Sequence, residues 1–176
     1  SARDELMTRK DRNFYYFMNV GTDVACAGIL SWRDTDNYET SLTPSAAIVG
    51  FYWTWAYGEM IQRANIIIAN ANRSDNAGMW SSQKKKNEVI AQARFFRGYT
   101  YNVLANLFGG VPIVDTVYGY PKTDFVRSTR AEVYDFAKED LEFASTWLPA
   151  TVPANQEGRI VKAAADHLLS EVYISL

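Results

Sequence analysis

Apolar residues recur at helical spacing in five stretches of the chain, and the segments between them carry polar residues, glycine and proline without a period. The most apolar stretch runs from Asn87 to Val114. Its Val89, Ile90, Ala93, Phe95, Phe96, Tyr99, Tyr101, Val103, Leu104, Leu107 and Phe108 fall on nearly every side of one helix. A stripe that wide predicts a central helix, from about Ser81 to Phe108, covered by neighbours rather than lying on a surface. Ala91, Arg94, Gly98 and Ala105 lie within roughly 60° of one another at about 100° per residue, a shallow face on which another helix backbone can approach closely. Gly98 costs about 1 kcal/mol against alanine inside a helix, so close packing is the better reason for its presence. Gly109 and Gly110 predict a left-handed cap, and Pro112 prevents a restart.

The other four stretches are simpler. Asp4 to Met18 allows a first helix with Leu6, Met7, Phe14, Phe17 and Met18 on one side. Thr43-Pro44 supplies an N-cap and a first-position proline for a second helix reaching about Ala71. That helix carries Phe51/Trp55 and Trp53/Tyr57 as aromatic pairs one turn apart, with Ile61, Ile66 and Ile68 continuing its apolar content. The rings suit core packing better than a ligand platform. Asn70 to Gly78 reads as a turn, which makes helices two and three an antiparallel pair. Val111 to Arg127 reads as irregular. Thr129 and Glu132 then form a capping box at the start of helix four, whose stripe of Val133, Phe136/Ala137, Leu141, Ala144 and Trp147/Leu148 ends at Pro149. After a connector at Ala150 to Gly158, Ala164, Leu168, Val172 and Leu176 define a fifth helix. The expected fold is all-α, built of antiparallel helix pairs, with no convincing paired strands.

Composition narrows the function. With 48% hydrophobic residues over 176 positions, the chain can bury a substantial core as one domain. A net charge of −2 argues against a general nucleic-acid or anionic-membrane surface. The only basic run, Lys84-Lys85-Lys86, reads as a solvated helix start. One cysteine, Cys26, excludes an internal disulfide and offers no paired-cysteine metal site. No apolar run reaches the roughly 20 residues of a membrane span. The single histidine, His167, sits within helix five with no nearby cysteine or acid at metal-ligand spacing, so a structural or surface role is favoured. No nucleophile elbow, phosphate loop or zinc motif is visible, and no cofactor is expected. Asp34 and Asp36 in a loop do not establish the carboxylate separation a glycosidase requires. Arg94 and Arg97, on a mostly apolar helix, need carboxylate partners if buried, and Asp135, Glu139 and Asp140 are the candidates.

The loop from Asp23 to Ser41 concentrates the remaining chemistry. Trp32 and Tyr38 offer ring faces for the apolar side of a pyranose, while Asp23, Arg33, Asp34, Asp36 and Asn37 offer hydrogen-bonding groups for its hydroxyl edge. An ordinary ordered loop around a partly buried tryptophan is the competing reading.

Four segments resemble the SusD/RagB family of outer-membrane glycan-binding lipoproteins. AQARFFRGYTYNVLANLFGGVPIV is similar to the family's "ARFLRAYYYFDLVRLFGDVPLV" segment, and Tyr57 to Asn65 to its "Y..I.RAN" helix. The helix from Arg130 resembles "R.EVYDFI..DLE.A", and Gly158 to Tyr173 resembles "GR.TK.AA..LLA.VYL". Gly21-Thr22-Asp23 resembles the family's "TSD" turn, after which some members place ligand contacts. The family often has a tryptophan just before the Thr-Pro that opens helix two, where this chain has Thr40-Ser41-Leu42, so the class of sugar stays open.

The resemblance implies a tetratricopeptide-like superhelical fold and non-enzymatic capture of oligosaccharide on the outward face of the outer membrane. It further implies delivery to a SusC-like TonB-dependent transporter, and attachment through a lipid anchor on a residue upstream of Ser1. It also implies that residues 1–176 are the N-terminal part of a longer SusD-like domain, since the fifth helical pattern stops without a cap. A tetratricopeptide-like scaffold for a peptide or protein is the alternative.

Overall fold

The computed structural model describes Cys26 and residues 43–176. The chain forms two compact units, Ser1–Trp55 and Ala56–Leu176. The first predicted helix, Asp4 to Met18, lies outside the described residues. Among those described there is no strand, in agreement with the all-α expectation.

In the first unit, Cys26 is a free, exposed thiol. Thr43-Pro44-Ser45-Ala46 forms a turn closed by the Ala46 amide on the Thr43 carbonyl at 2.9 Å. Helix α1, Ala47–Trp53, starts only after it, with extended Ala46 as N-cap and no side-chain cap bond. The predicted Thr43 cap is therefore corrected: the proline sits in the turn, and the helix begins three residues later than Pro44 suggests. Tyr52 and Trp55 are buried, which supports a packing role for these two rings.

From α1 the chain runs through a π-helical stretch, Thr54–Ile61, into α2, Gln62–Asn72. The wider i→i+5 turn changes which side chains share a face, so a single 3.6-residue period does not carry through this helix. Ala56, Met60, Ile61, Ala64 and Asn65 are buried, whereas Ile66, counted with the apolar pattern, is exposed. A short 3₁₀ turn, Ser74–Met79, leads to the central helix α3, Gln83–Phe108. Ser82 caps it by accepting from the Lys85 amide at 3.2 Å. Lys84 and Lys85 lie exposed in its first turn, as a solvated helix start requires.

Helix α3 packs against α2 on one side and α4, Arg130–Trp147, on another, and α5, Lys162–Ser175, packs on α4. The predicted shallow face meets α4. Ala91 and Ala105 are fully buried, and a Cβ at Gly98 would lie 3.0 Å from Leu141 Cγ and 3.1 Å from the Ala137 carbonyl oxygen. Opposite them, Val133, Ala137, Leu141, Ala144 and Leu148 form the buried stripe of α4. Each large apolar chain in this contact stabilises the fold by about 1.5–3 kcal/mol. The capping box also forms: the Thr129 hydroxyl accepts from the Glu132 amide, and the Thr129 amide donates to the Glu132 carboxylate at 2.7 Å. Donation to that carboxylate from the Thr129 amide, and from the Thr129 hydroxyl at 2.8 Å, holds the Glu132 carboxyl below its ordinary range.

Helix α3 stops where expected. Gly109 sits at φ +70° and ψ −125°, so the expected left-handed helical cap is corrected: the helix ends on a glycine in a different positive-φ conformation, a backbone that side chains rarely adopt. A Cβ at Gly110 would fall 2.0 Å from the Ser128 carbonyl oxygen, so the chain can return alongside only a glycine. Arg127 completes the end by donating to the Phe108 carbonyl at 2.6 Å and to the Gly110 carbonyl. The predicted irregular segment is thus a closed loop, its base fastened by the Ser128 amide on the Val111 carbonyl at 3.2 Å.

Candidate ligand-binding surface

A buried ion pair positions this loop against the helices. Arg97, 5% exposed, forks onto Asp140, with Nε to Oδ2 at 2.7 Å and Nη2 to Oδ1 at 2.8 Å. Among the three acids the sequence leaves open, the structure selects Asp140; Asp135 pairs instead with Lys138 one turn away. The remaining Arg97 nitrogen donates to the Asn65 side-chain oxygen at 2.6 Å, and the Asn65 amide donates to the Val114 and Thr116 carbonyls at 2.9 and 3.2 Å. Burial moves the Asp140 carboxyl upward, and the hydrogen bonds and charge of Arg97 oppose that shift. A two-bond fork requires both oxygens as acceptors, so the carboxylate acts here in its ionised form. Arg94 lies at the edge of the pair, 3.7 Å from Asp140, with its guanidinium 4.4 Å from the Phe143 ring centre.

Two tyrosines fasten the same loop. The Tyr57 hydroxyl donates to the Pro112 carbonyl at 2.6 Å, and the Tyr101 oxygen accepts from the Val114 amide at 2.7 Å. Burial pushes both phenols above their usual range, which keeps them neutral. Residues 111–116 are thereby held by side chains from the π-helical turn, α2 and α3. None of this machinery offers a nucleophile or a free acid–base pair to a substrate. Its effect is to fix the backbone from which the rest of the loop projects.

The projecting part carries exposed rings. Tyr118 stands edge-on to Tyr120 at 6.1 Å and to Phe125 at 5.8 Å between ring centres. Lys122 Nζ sits 5.6 and 5.5 Å from the Tyr118 and Phe125 centres and pairs with Asp124 at 2.7 Å. The pairing raises the lysine and lowers the aspartate from their ordinary ranges. Tyr120 is 66% exposed. Sequence reasoning missed this cluster, although the density of aromatic residues in Val117-Tyr-Gly-Tyr-Pro-Lys-Thr-Asp-Phe, within a segment lacking any period, was an available signal. A second feature is an open hollow of about 240 Å³ lined mainly by Ile67, Ala71, Met79, Trp80 and Val89.

The ligand residues expected from the sequence, Asp23, Trp32, Arg33, Asp34, Asp36, Asn37 and Tyr38, lie outside the described residues. His167 is exposed on α5, 3.3 Å from Glu171, which corrects the reading that no acid lies near it at ligand spacing, while its surface position agrees with the role expected. Among the described residues no group of three or more His, Cys, Asp or Glu is arranged to hold a metal ion. No described helix is long and apolar enough to cross a membrane.

A SusD-like family pattern, described as starch-binding and associating with the outer membrane, matches residues 2–174. The chain belongs to the SusD-like family. SusD-like protein P2 of Formosa agariphila is 36% identical over 134 residues, covering 73% of this chain and 24% of that protein. A solved SusD homologue from Bacteroides thetaiotaomicron superposes with a TM-score of 0.75 at 26% identity, over 98% of this chain and 35% of its own. A laminarin-binding SusD-like protein superposes with the same TM-score at 24% identity, over 90% of this chain and 34% of its own. The SusD-like chain thus spans about a quarter to a third of these relatives. The likeness establishes the tetratricopeptide-like all-α fold and membership of a glycan-binding family.

Proposed function

We propose that the protein captures oligosaccharide on the outward face of the outer membrane without cleaving it, and passes it to a SusC-like TonB-dependent transporter. A lipid anchor holds it there. The observation that carries the proposal is a family match running through residues 2–174, and so through the Asp23–Ser41 loop, where ring faces and hydrogen-bonding side chains are concentrated. The name of the laminarin-binding relative supports the ligand class without naming this protein's sugar. In this proposal Trp32 and Tyr38 stack on pyranose rings, Asp23, Asp34, Asp36 and Asn37 accept or donate to hydroxyls, and Arg33 donates to ring or linkage oxygens.

The test is a glycan array with the whole extracellular protein, followed by chromatography of any bound oligosaccharide after long incubation. Binding with unchanged chain length is expected. Shortened products indicate a hydrolase, and silence on glycans with selective peptide binding indicates the scaffold reading.

A further inference from the structure

The Tyr118–Tyr120–Phe125 cluster is ordered by interactions that leave one ring outside. Tyr118 and Phe125 meet edge-on, Lys122 lies over both rings, and that lysine donates to Asp124 at 2.7 Å. The loop is closed at its base and fastened to three helical segments, so the cluster is held in place before any ligand arrives. Under such an arrangement Tyr120 still stands 66% exposed, and the Asp124 side chain that pairs with Lys122 is 80% exposed. An exposed ring in edge contact with Tyr118, over which the paired Lys122 sits, sets a stacking face near polar groups, as a pyranose requires with C–H groups on one face and hydroxyls around its edge.

Size separates this from a protein-docking face. A stable protein interface covers roughly 800 Å² on each side, whereas three rings on one loop match one or two sugar residues. We infer that Tyr120, with Lys122 and Asp124, forms a second sugar-contacting platform that engages a pyranose of a neutral glycan. The inference rests on the proposed glycan-binding function, and adds a contact point on a different segment from the Asp23–Ser41 loop.

The experiment is native electrophoresis of the whole extracellular protein through gels containing laminarin, xyloglucan, soluble starch or galactomannan. The parent is run beside Tyr120→Ala, Tyr120→Trp and Trp32→Ala, each checked for fold by circular dichroism. On a polysaccharide that retards the parent, Tyr120→Ala is expected to weaken binding about tenfold, as loss of one stacking contact implies, with Tyr120→Trp retaining it. If Tyr120→Ala migrates like the parent while Trp32→Ala loses retardation, the second platform is overturned and the glycan function stands. If no polysaccharide retards the parent, both fall. If Tyr120→Ala keeps its sugar binding and loses co-purification with the transporter, the cluster is a protein contact and the inference is overturned.

Discussion

Gly98 gives the sharpest test of how the scaffold is packed. A Cβ there would sit 3.0 Å from Leu141 Cγ, 3.1 Å from the Ala137 carbonyl oxygen and 3.3 Å from Asp140 Cβ, all inside ordinary contact distance. Two of those atoms belong to side chains on α4 and one to its backbone, so the helix itself must give by a few tenths of an ångström. It resists, because the Arg97–Asp140 fork ties the two helices together beside that point. Alanine gains about 1 kcal/mol in helix propensity, and overpacking costs about 1–3 kcal/mol, so Gly98→Ala should lose between about 0 and 2 kcal/mol. Gly98→Leu brings three more carbons into occupied space and should lose several kcal/mol. Gly50, helical and with nothing among the described residues within 4 Å of its Cβ position, is the internal control. Gly50→Ala should gain about 1 kcal/mol. Urea unfolding followed by circular dichroism measures all three. The packing argument is refuted if Gly98→Leu is as stable as the parent, or if Gly98→Ala gains as much as the control.

Two further substitutions probe the polar centre. Asp140→Asn leaves Arg97 buried without its counter-charge and should cost about 3–5 kcal/mol in the same assay, while the paired replacement Arg97→Met/Asp140→Leu should recover much of that loss. Equal losses in the single and double variants would show that the pair is not an energetic unit. Tyr101→Phe removes the acceptor for the Val114 amide and should cost about 1–3 kcal/mol, with faster hydrogen exchange at Val114; unaltered exchange would mean that water replaces the hydroxyl without loss.

The scaffold was legible because its signals are local. The central helix, its small-residue face, the capping box and the glycine stop each follow from spacing within a turn or two, and the structure places all of them as read. Thr43-Pro44 misled because the same pair that opens a helix also opens a turn, and the Ala46 bond to Thr43 decides between them. The π-helical stretch left no mark in the apolar pattern, and Ile66 faces water because it lies about 100° or more around α2 from buried Ile61, Ala64 and Asn65. Asp140 was one of three equal candidates, since helical spacing alone does not set how α4 is rotated against α3. The ring cluster at residues 118–125 escaped because loops have no period, so only the tertiary fastening of residues 111–116 shows which rings remain outside. The Asp23–Ser41 residues rest on side-chain chemistry and family resemblance, and belong to the proposal.

We propose above all that this protein holds a glycan through the Asp23–Ser41 segment. Isothermal calorimetry of Trp32→Ala and Tyr38→Ala, against the oligosaccharide selected on the array, tests it most directly. Each substitution should weaken binding by about 1–3 kcal/mol, or roughly one to two decades in Kd, with the circular dichroism spectrum unchanged. Parent affinity in both folded variants would contradict the claim and place the sugar elsewhere.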